Sequence, residues 1–247
     1  FNINGGAYSA IYQGLNYQKG ELLFDSTGKK ANYNNKATKE NMQFLKDLYE
    51  KDKVGSADFG NEYSDSFGQG QTAMVYAWGW LEGTMKDKYP DIDYGVFATP
   101  TFSKDTPFAY DRYNGESTPG INKNQSKEQQ AVAQDFVKYL LANDDYVRKS
   151  VEGLNSFPAK ANLQNDPEIL KSPVMQAIQP RVSRLIWPGP APATVETSGK
   201  VAFENVMHNG MSIDEAVKEG QSTMDKDMKG SNFMSAESKY EFYDEHK

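Results

Sequence analysis

The chain has 247 residues, 38% hydrophobic and 25% charged, with a formal net charge of −7 and no cysteine. That length corresponds to about one or two domains and is enough to bury a core. The charge balance, without any Lys/Arg stripe, excludes a nucleic-acid surface. The absence of cysteine excludes a disulfide framework and a thiolate metal centre. Only two histidines are present, His208 and His246, too few and too far apart for a His-built metal site or triad. No metal or cofactor is therefore expected. No apolar run approaches the ~20 residues that span a bilayer. The chain opens on Phe1 without a signal-peptide pattern, so the native translation start is expected to lie elsewhere.

In chain order, Gly5-Gly6 marks a loop, and Tyr8, Ile11, Tyr12 and Leu15 then recur at helical spacing. Glu21 to Phe24 is a strand candidate closed by the turn Asp25-Ser26-Thr27-Gly28. Asn34 or Asn35 caps a helix whose apolar face carries Ala37, Phe44, Leu45, Leu48 and Tyr49. A polar loop follows over 60–70, with Glu62, Tyr63 and Asp65. Leu81 to Lys88 reads as a short helix, and Ile92 to Phe97 as a strand stopped by Pro100. Ser126 to Gln129 is a capping box that opens a helix with Val132, Phe136, Tyr139 and Leu140 on its apolar face. The stretch 165–179 is helical in part, with Pro167 in a first turn. A helix is expected from Val195 to His208, stopped by Asn209-Gly210. A second capping box, Ser212 to Glu215, opens a last helix whose Met224 and Met228 read as core. The remainder, from Asn232, is a polar surface tail.

The stretch from Phe67 to Trp80, FGQGQTAMVYAWGW, carries the strongest local signal. Glycines lead into a β-compatible segment, Ala73 to Ala77, which reads as a buried strand ending in Trp78-Gly79-Trp80. The glycine lets the backbone take φ > 0 or approach another group closely. The two indoles are either core rings beside a strand or flat platforms for a sugar ring.

The same stretch resembles the F-x-x-G-x-x-A-M-x-x-x-G-x-W motif of the extracellular solute-binding proteins of ABC sugar importers, family 1, the maltose-binding-protein-like receptors. Phe67, Gly70, Ala73, Met74 and Trp80 match it, and Trp78 stands where the family often has Gly. Further motifs follow in the family's order. They are Asp93-Tyr94-Gly95-Val96 with Pro100, the segment Gly115 to Asn122, the helices of AVAQDFVKYLLANDDYVRKSV, the turn Phe157-Pro158-Ala159, and the helix near Met211 to Lys218.

The resemblance implies an α/β, periplasmic-binding-protein-like type II fold of two lobes joined by hinge crossings, incomplete at the N-terminus. Residues 1–110 would be the first section of the second (C-terminal) lobe and 111–157 a section belonging to the first lobe. Residues 158–231 would close the second lobe, with 232–247 as the polar tail. It implies a substrate-binding component that holds a carbohydrate, an oligosaccharide, in an interlobe cleft and delivers it to a membrane permease. The location implied is the periplasm or, lipid-anchored, the outer face of the cell membrane. Helices of the 111–157 section would lack the sheet they pack on, so a missing N-terminal lobe segment or self-association is expected to cover an apolar patch.

For the site, the resemblance nominates Trp80 as the stacking platform, with Trp78 beside it. Tyr8 and Tyr12 are cleft residues or core rings of their helix. Arg112 and Glu116 bind hydroxyls or form an ion pair. Trp187, in a Pro-rich loop, is a second platform, and Glu196 an additional polar group. Two other readings stay open. One is a polysaccharide-acting enzyme with paired carboxylates, Glu62 with Asp65 or Asp111 with Glu116. The other is a binding protein for a non-sugar ligand such as a polyamine, since aromatics and acidic loops suit a cation.

Overall fold

The computed structural model describes residues 1–2, 7–55, 62–114 and 119–246. Its α-helices are α1 (Ala7–Gln18), α2 (Lys36–Glu50), α3 (Tyr63–Gly68), α4 (Leu81–Lys88), α5 (Lys127–Ala142), α6 (Asp144–Leu154), α7 (Pro167–Leu170), α8 (Pro173–Ile178), α9 (Ala193–His208) and α10 (Ile213–Met228). Two short strands, β1 (Asp111–Arg112) and β2 (Leu185–Ile186), pair in parallel with Asp111 opposite Leu185. The chain divides into two compact units. The first comprises Phe1–Ala77, Thr99–Glu116 and Arg181–Lys247; the second comprises Trp78–Ala98 and Ser117–Pro180.

The first unit is built around α1, which contacts α2, α9 and β1. The apolar spacing of this helix predicted one buried stripe, yet the helix is enclosed on all sides. Two of its buried polar residues, Ser9 and Asn16, are held by partners on other elements. The Ser9 hydroxyl donates to the Glu196 carbonyl at 2.9 Å. Asn16 donates to Thr38 Oγ1 at 2.8 Å and accepts from the Asn41 amide at 2.8 Å. The helix pair α9–α10 completes this core, with Val206, Met224 and Met228 buried. The capping boxes are formed as read, Ser126 with Gln129 and Ser212 with Glu215. Asn35 is the cap of α2, its side chain accepting from the Thr38 amide at 2.7 Å.

Three strand expectations are corrected. Glu21 to Phe24 forms a tight turn-bearing loop with a single Phe24–Ala31 bridge. Among the described residues Ala73 to Ala77 makes one parallel bridge, Val75 to Asn2, and it is not buried, with Met74 exposed. Ile92 to Phe97 belongs to no helix or ladder among the described residues, and Phe97 is exposed. β-propensity marks a segment able to pair, whereas a strand exists only where a partner edge is supplied.

The polar C-terminal segment is fastened to the first unit by buried groups. Glu237 is 2% exposed and accepts from the Tyr17 hydroxyl at 2.7 Å and the Leu23 amide at 2.8 Å. Further along, Arg184 forks onto Glu245 at 2.8 and 3.2 Å and lies 3.8 Å over the Phe242 ring.

The second unit has a small core of Leu163, Ile169, Val174 and Met175, against which Val147, Val151 and Phe157 pack. Neither α5 nor α6 has a buried residue. On α5, Val132 is 71% and Phe136 60% exposed, with Tyr139 and Leu141 also at the surface. The i, i+4, i+7 spacing that makes this helix amphipathic thus presents its apolar stripe outward.

Candidate functional site

In the second unit, Trp78 and Trp80 stand one residue apart at the entry to α4, with ring centroids 6.0 Å apart and planes 10° from parallel. Trp80 is 45% exposed and Trp78 half-buried. The turn that stacks them depends on Gly79. A Cβ there would lie 2.3 Å from the Asn155 carbonyl oxygen, at the C-cap of α6. Close approach to that backbone, one of the two roles open to this glycine, is the one it fills. Gly79→Ala is expected to shift the turn, because backbone cannot yield as a flexible side chain would. The change in near-ultraviolet tryptophan circular dichroism, with far-ultraviolet signal retained, measures it.

In the first unit, β1 places Arg112 beside α9. Arg112 Nη2 donates to Glu196 Oε1 at 3.1 Å, with the Arg side chain 10% and the Glu side chain 48% exposed. Such a pair, one member desolvated and the other open, can exchange partners with a hydroxyl while the charges strengthen each hydrogen bond. Trp187 follows β2, and its ring stacks on Tyr113 at 6.5 Å and 29°. The Trp187 indole N–H is buried without a protein acceptor among the described residues. Tyr113 is 45% exposed. Strand pairing of β1 with β2 therefore brings the neighbours Arg112 and Tyr113 to Trp187, which is far from them in sequence. Tyr113 was missed because a lone Tyr in an irregular stretch carries no signal until its neighbour across the strand pair is known.

Tyr8 and Tyr12 lie in the core, each 1% exposed. Tyr8 stacks on Phe203 at 4.1 Å and on Tyr12 at 5.4 Å, and Tyr12 meets Tyr33 edge-on at 5.4 Å. Burial pushes the Tyr8 and Tyr12 hydroxyls well above the usual phenol range. Of the alternatives for these two rings, the structure places both on the packed seam between α1 and α9. Glu116 lies outside the described residues. Asp111 is poorly suited to a catalytic pair. Its Oδ2 accepts from Tyr76 and Thr99 hydroxyls at 2.9 Å each, and its Oδ1 from the Arg112 amide at 2.8 Å.

The family model for bacterial extracellular solute-binding proteins matches residues 1–147, and the chain belongs to this family. A maltotriose-binding protein from Pyrococcus abyssi is 27% identical over 182 residues, which is 72% of this chain and 38% of that protein. Among solved structures, the maltose/maltodextrin-binding domain MalE of Bdellovibrio bacteriovorus, bound to maltotriose, is similar with a TM-score of 0.69 at 17% identity. The match covers 90% of this chain and 58% of that one. UgpB from Mycobacterium tuberculosis, in complex with glycerophosphocholine, has a TM-score of 0.66 at 15% identity, covering 89% of this chain and 55% of that one. The chain thus has the α/β type II periplasmic-binding-protein fold and spans less than two thirds of the length of each of these relatives. These relatives are binding proteins.

Proposed function

We propose that this chain belongs to the substrate-binding component of an ABC importer and takes a carbohydrate, an oligosaccharide, which it delivers to a membrane permease. The observation that carries this reading is the Trp78–Trp80 pair, two near-parallel indoles held by a glycine turn with one ring open. Such a platform suits the C–H face of a pyranose. In the other unit, Arg112 and Glu196 supply charged partners for hydroxyls, and Trp187 and Tyr113 supply ring surface. Function then needs no bond-breaking step. The family's extracellular placement extends to the periplasm or to a lipid-anchored position.

A tryptophan fluorescence titration against maltotriose and mannobiose tests the reading. A saturable change is expected, lost in Trp80→Ala with the helical signal intact; an unchanged response in that variant would remove Trp80 from the site. A reducing-sugar assay on starch or mannan addresses the enzyme alternative, and steady release of sugar would replace the binding reading. A cationic ligand such as a polyamine is favoured by one observation only, an exposed indole on a chain of net charge −7.

The outward apolar stripe of α5 fits a further stretch of this family's fold, one able to cover the helix. The relatives' length beyond the match leaves room for such a stretch. Without it the chain is expected to self-associate through this face. Light scattering would show a mass above 27.7 kDa, falling to the monomer in Phe136→Asp. A clean monomer of the unmodified chain would count against the proposal.

A further inference from the structure

The chain passes between its two compact units at four points, 77/78, 98/99, 116/117 and 180/181. On the first unit's side, residues beside the first two crossings meet at the Asp111 carboxylate, and the residue after the fourth is tied to them. Tyr76, one residue from the first crossing end, donates its hydroxyl to Asp111 Oδ2 at 2.9 Å. Thr99, the first residue after the second crossing, donates to the same oxygen at 2.9 Å. Asp111 itself opens the segment that leads to the third crossing, and its Oδ1 accepts from the amide of Arg112 at 2.8 Å. The fourth is joined through Thr99: Arg181 Nη1 donates to the Thr99 carbonyl, and the Arg181 guanidinium lies 4.6 Å over the Tyr110 ring. Although Asp111 as a residue keeps some exposure, its carboxylate is pressed against α1. A Cβ on Gly14 would come within 2.3 Å of Oδ1.

We infer that Asp111 is a latch that fixes the ends of the crossing segments on the first unit as one body. Three donors converge on a group with no donor of its own, and each bond to the carboxylate is charge-assisted. Moving any one segment therefore takes a donor from the carboxylate, which loosens the others. Nothing local in sequence requires this, since residues 76, 99, 111 and 181 belong to four separate stretches. Gly14 is part of the same device. In an exposed helix Gly→Ala adds stability, whereas here the methyl would displace the carboxylate from its donors.

Hydrogen exchange followed by mass spectrometry on the full chain tests the inference. Asp111→Ala removes both accepting oxygens, so the Tyr76 and Thr99 hydroxyls and the Arg112 amide all lose the carboxylate. Exchange in peptides covering 72–77, 99–102 and 109–114 is expected to rise together by about tenfold or more, with α9 and α10 unchanged. Gly14→Ala should give the same pattern. Thr99→Val and Tyr76→Phe each remove one donor and keep the fold within reach should the Asp111 variant fail to fold. Each is expected to loosen all three peptides. Loosening confined to the substituted segment, or spread evenly across the first unit, would overturn the latch.

Discussion

Glu237→Ala is expected to destabilise the first unit by about 3–5 kcal/mol, because it leaves the Tyr17 hydroxyl and the Leu23 amide without an acceptor in a closed interior, at about 1–3 kcal/mol for each stranded donor. Tyr17 is fully buried, and both donors converge on Glu237 Oε1 at 2.7 and 2.8 Å. Glu237→Gln keeps that oxygen as an acceptor, and its amide can donate to the Ser235 hydroxyl now 3.1 Å from Oε2. The two variants separate loss of the acceptor from loss of the charge. Burial pushes the Glu237 carboxyl above its ordinary value of 4.5, against the pull of Tyr17, the Leu23 amide and Ser235. With the folded value raised, the native state holds more protons than the unfolded chain between the two values. The contribution is then fully present below the ordinary value and is lost as pH rises through the raised one. The difference in Tm between Glu237→Gln and the unmodified chain should therefore move in the variant's favour from about pH 4 to about pH 8. A difference that stays flat or reverses would contradict this account of the buried acid.

Tyr12→Ala is the second large effect, with an expected cost of about 3–5 kcal/mol by urea unfolding, the range for truncating a buried aromatic. The ring is enclosed by Tyr8 and Tyr33, and its hydroxyl donates to the Val195 carbonyl at 3.3 Å. Trp80→Ala, by contrast, should cost less than about 1 kcal/mol, as expected for a substitution at a half-open position. The pair of measurements sorts the aromatic residues by role. A Tyr12 variant of near-normal stability that loses ligand response would return Tyr12 to the site.

What the sequence disclosed divides along the line between local and distant interactions. Both capping boxes and the Asn35 cap are formed as read, because a cap is settled within a few residues. Trp78-Gly79-Trp80 was legible as a glycine turn with two rings, although Asn155, the backbone it approaches, was not. The strands read at Glu21 to Phe24, Ala73 to Ala77 and Ile92 to Phe97 form no ladder among the described residues, because pairing needs an edge from elsewhere in the chain. The same limit hid Tyr113 beside Trp187 and left Asp111 looking like any other acid. It also concealed the enclosure of α1, whose Ser9 and Asn16 suggest a wet face until Glu196, Thr38 and Asn41 are brought to them. Likewise the polar segment after Asn232 gave no hint that Glu237 would be sealed inside.

The central claim is that the indole platforms of this chain receive a carbohydrate ring. Saturation-transfer NMR on the full chain, with maltotriose, glycerophosphocholine and spermidine offered in turn, tests it most directly. The account predicts transfer to the ring C–H protons of the sugar, abolished in a Trp80→Ala, Trp187→Ala double variant that keeps its helical signal. Transfer to choline methyls or polyamine methylenes with none to the sugar would contradict it.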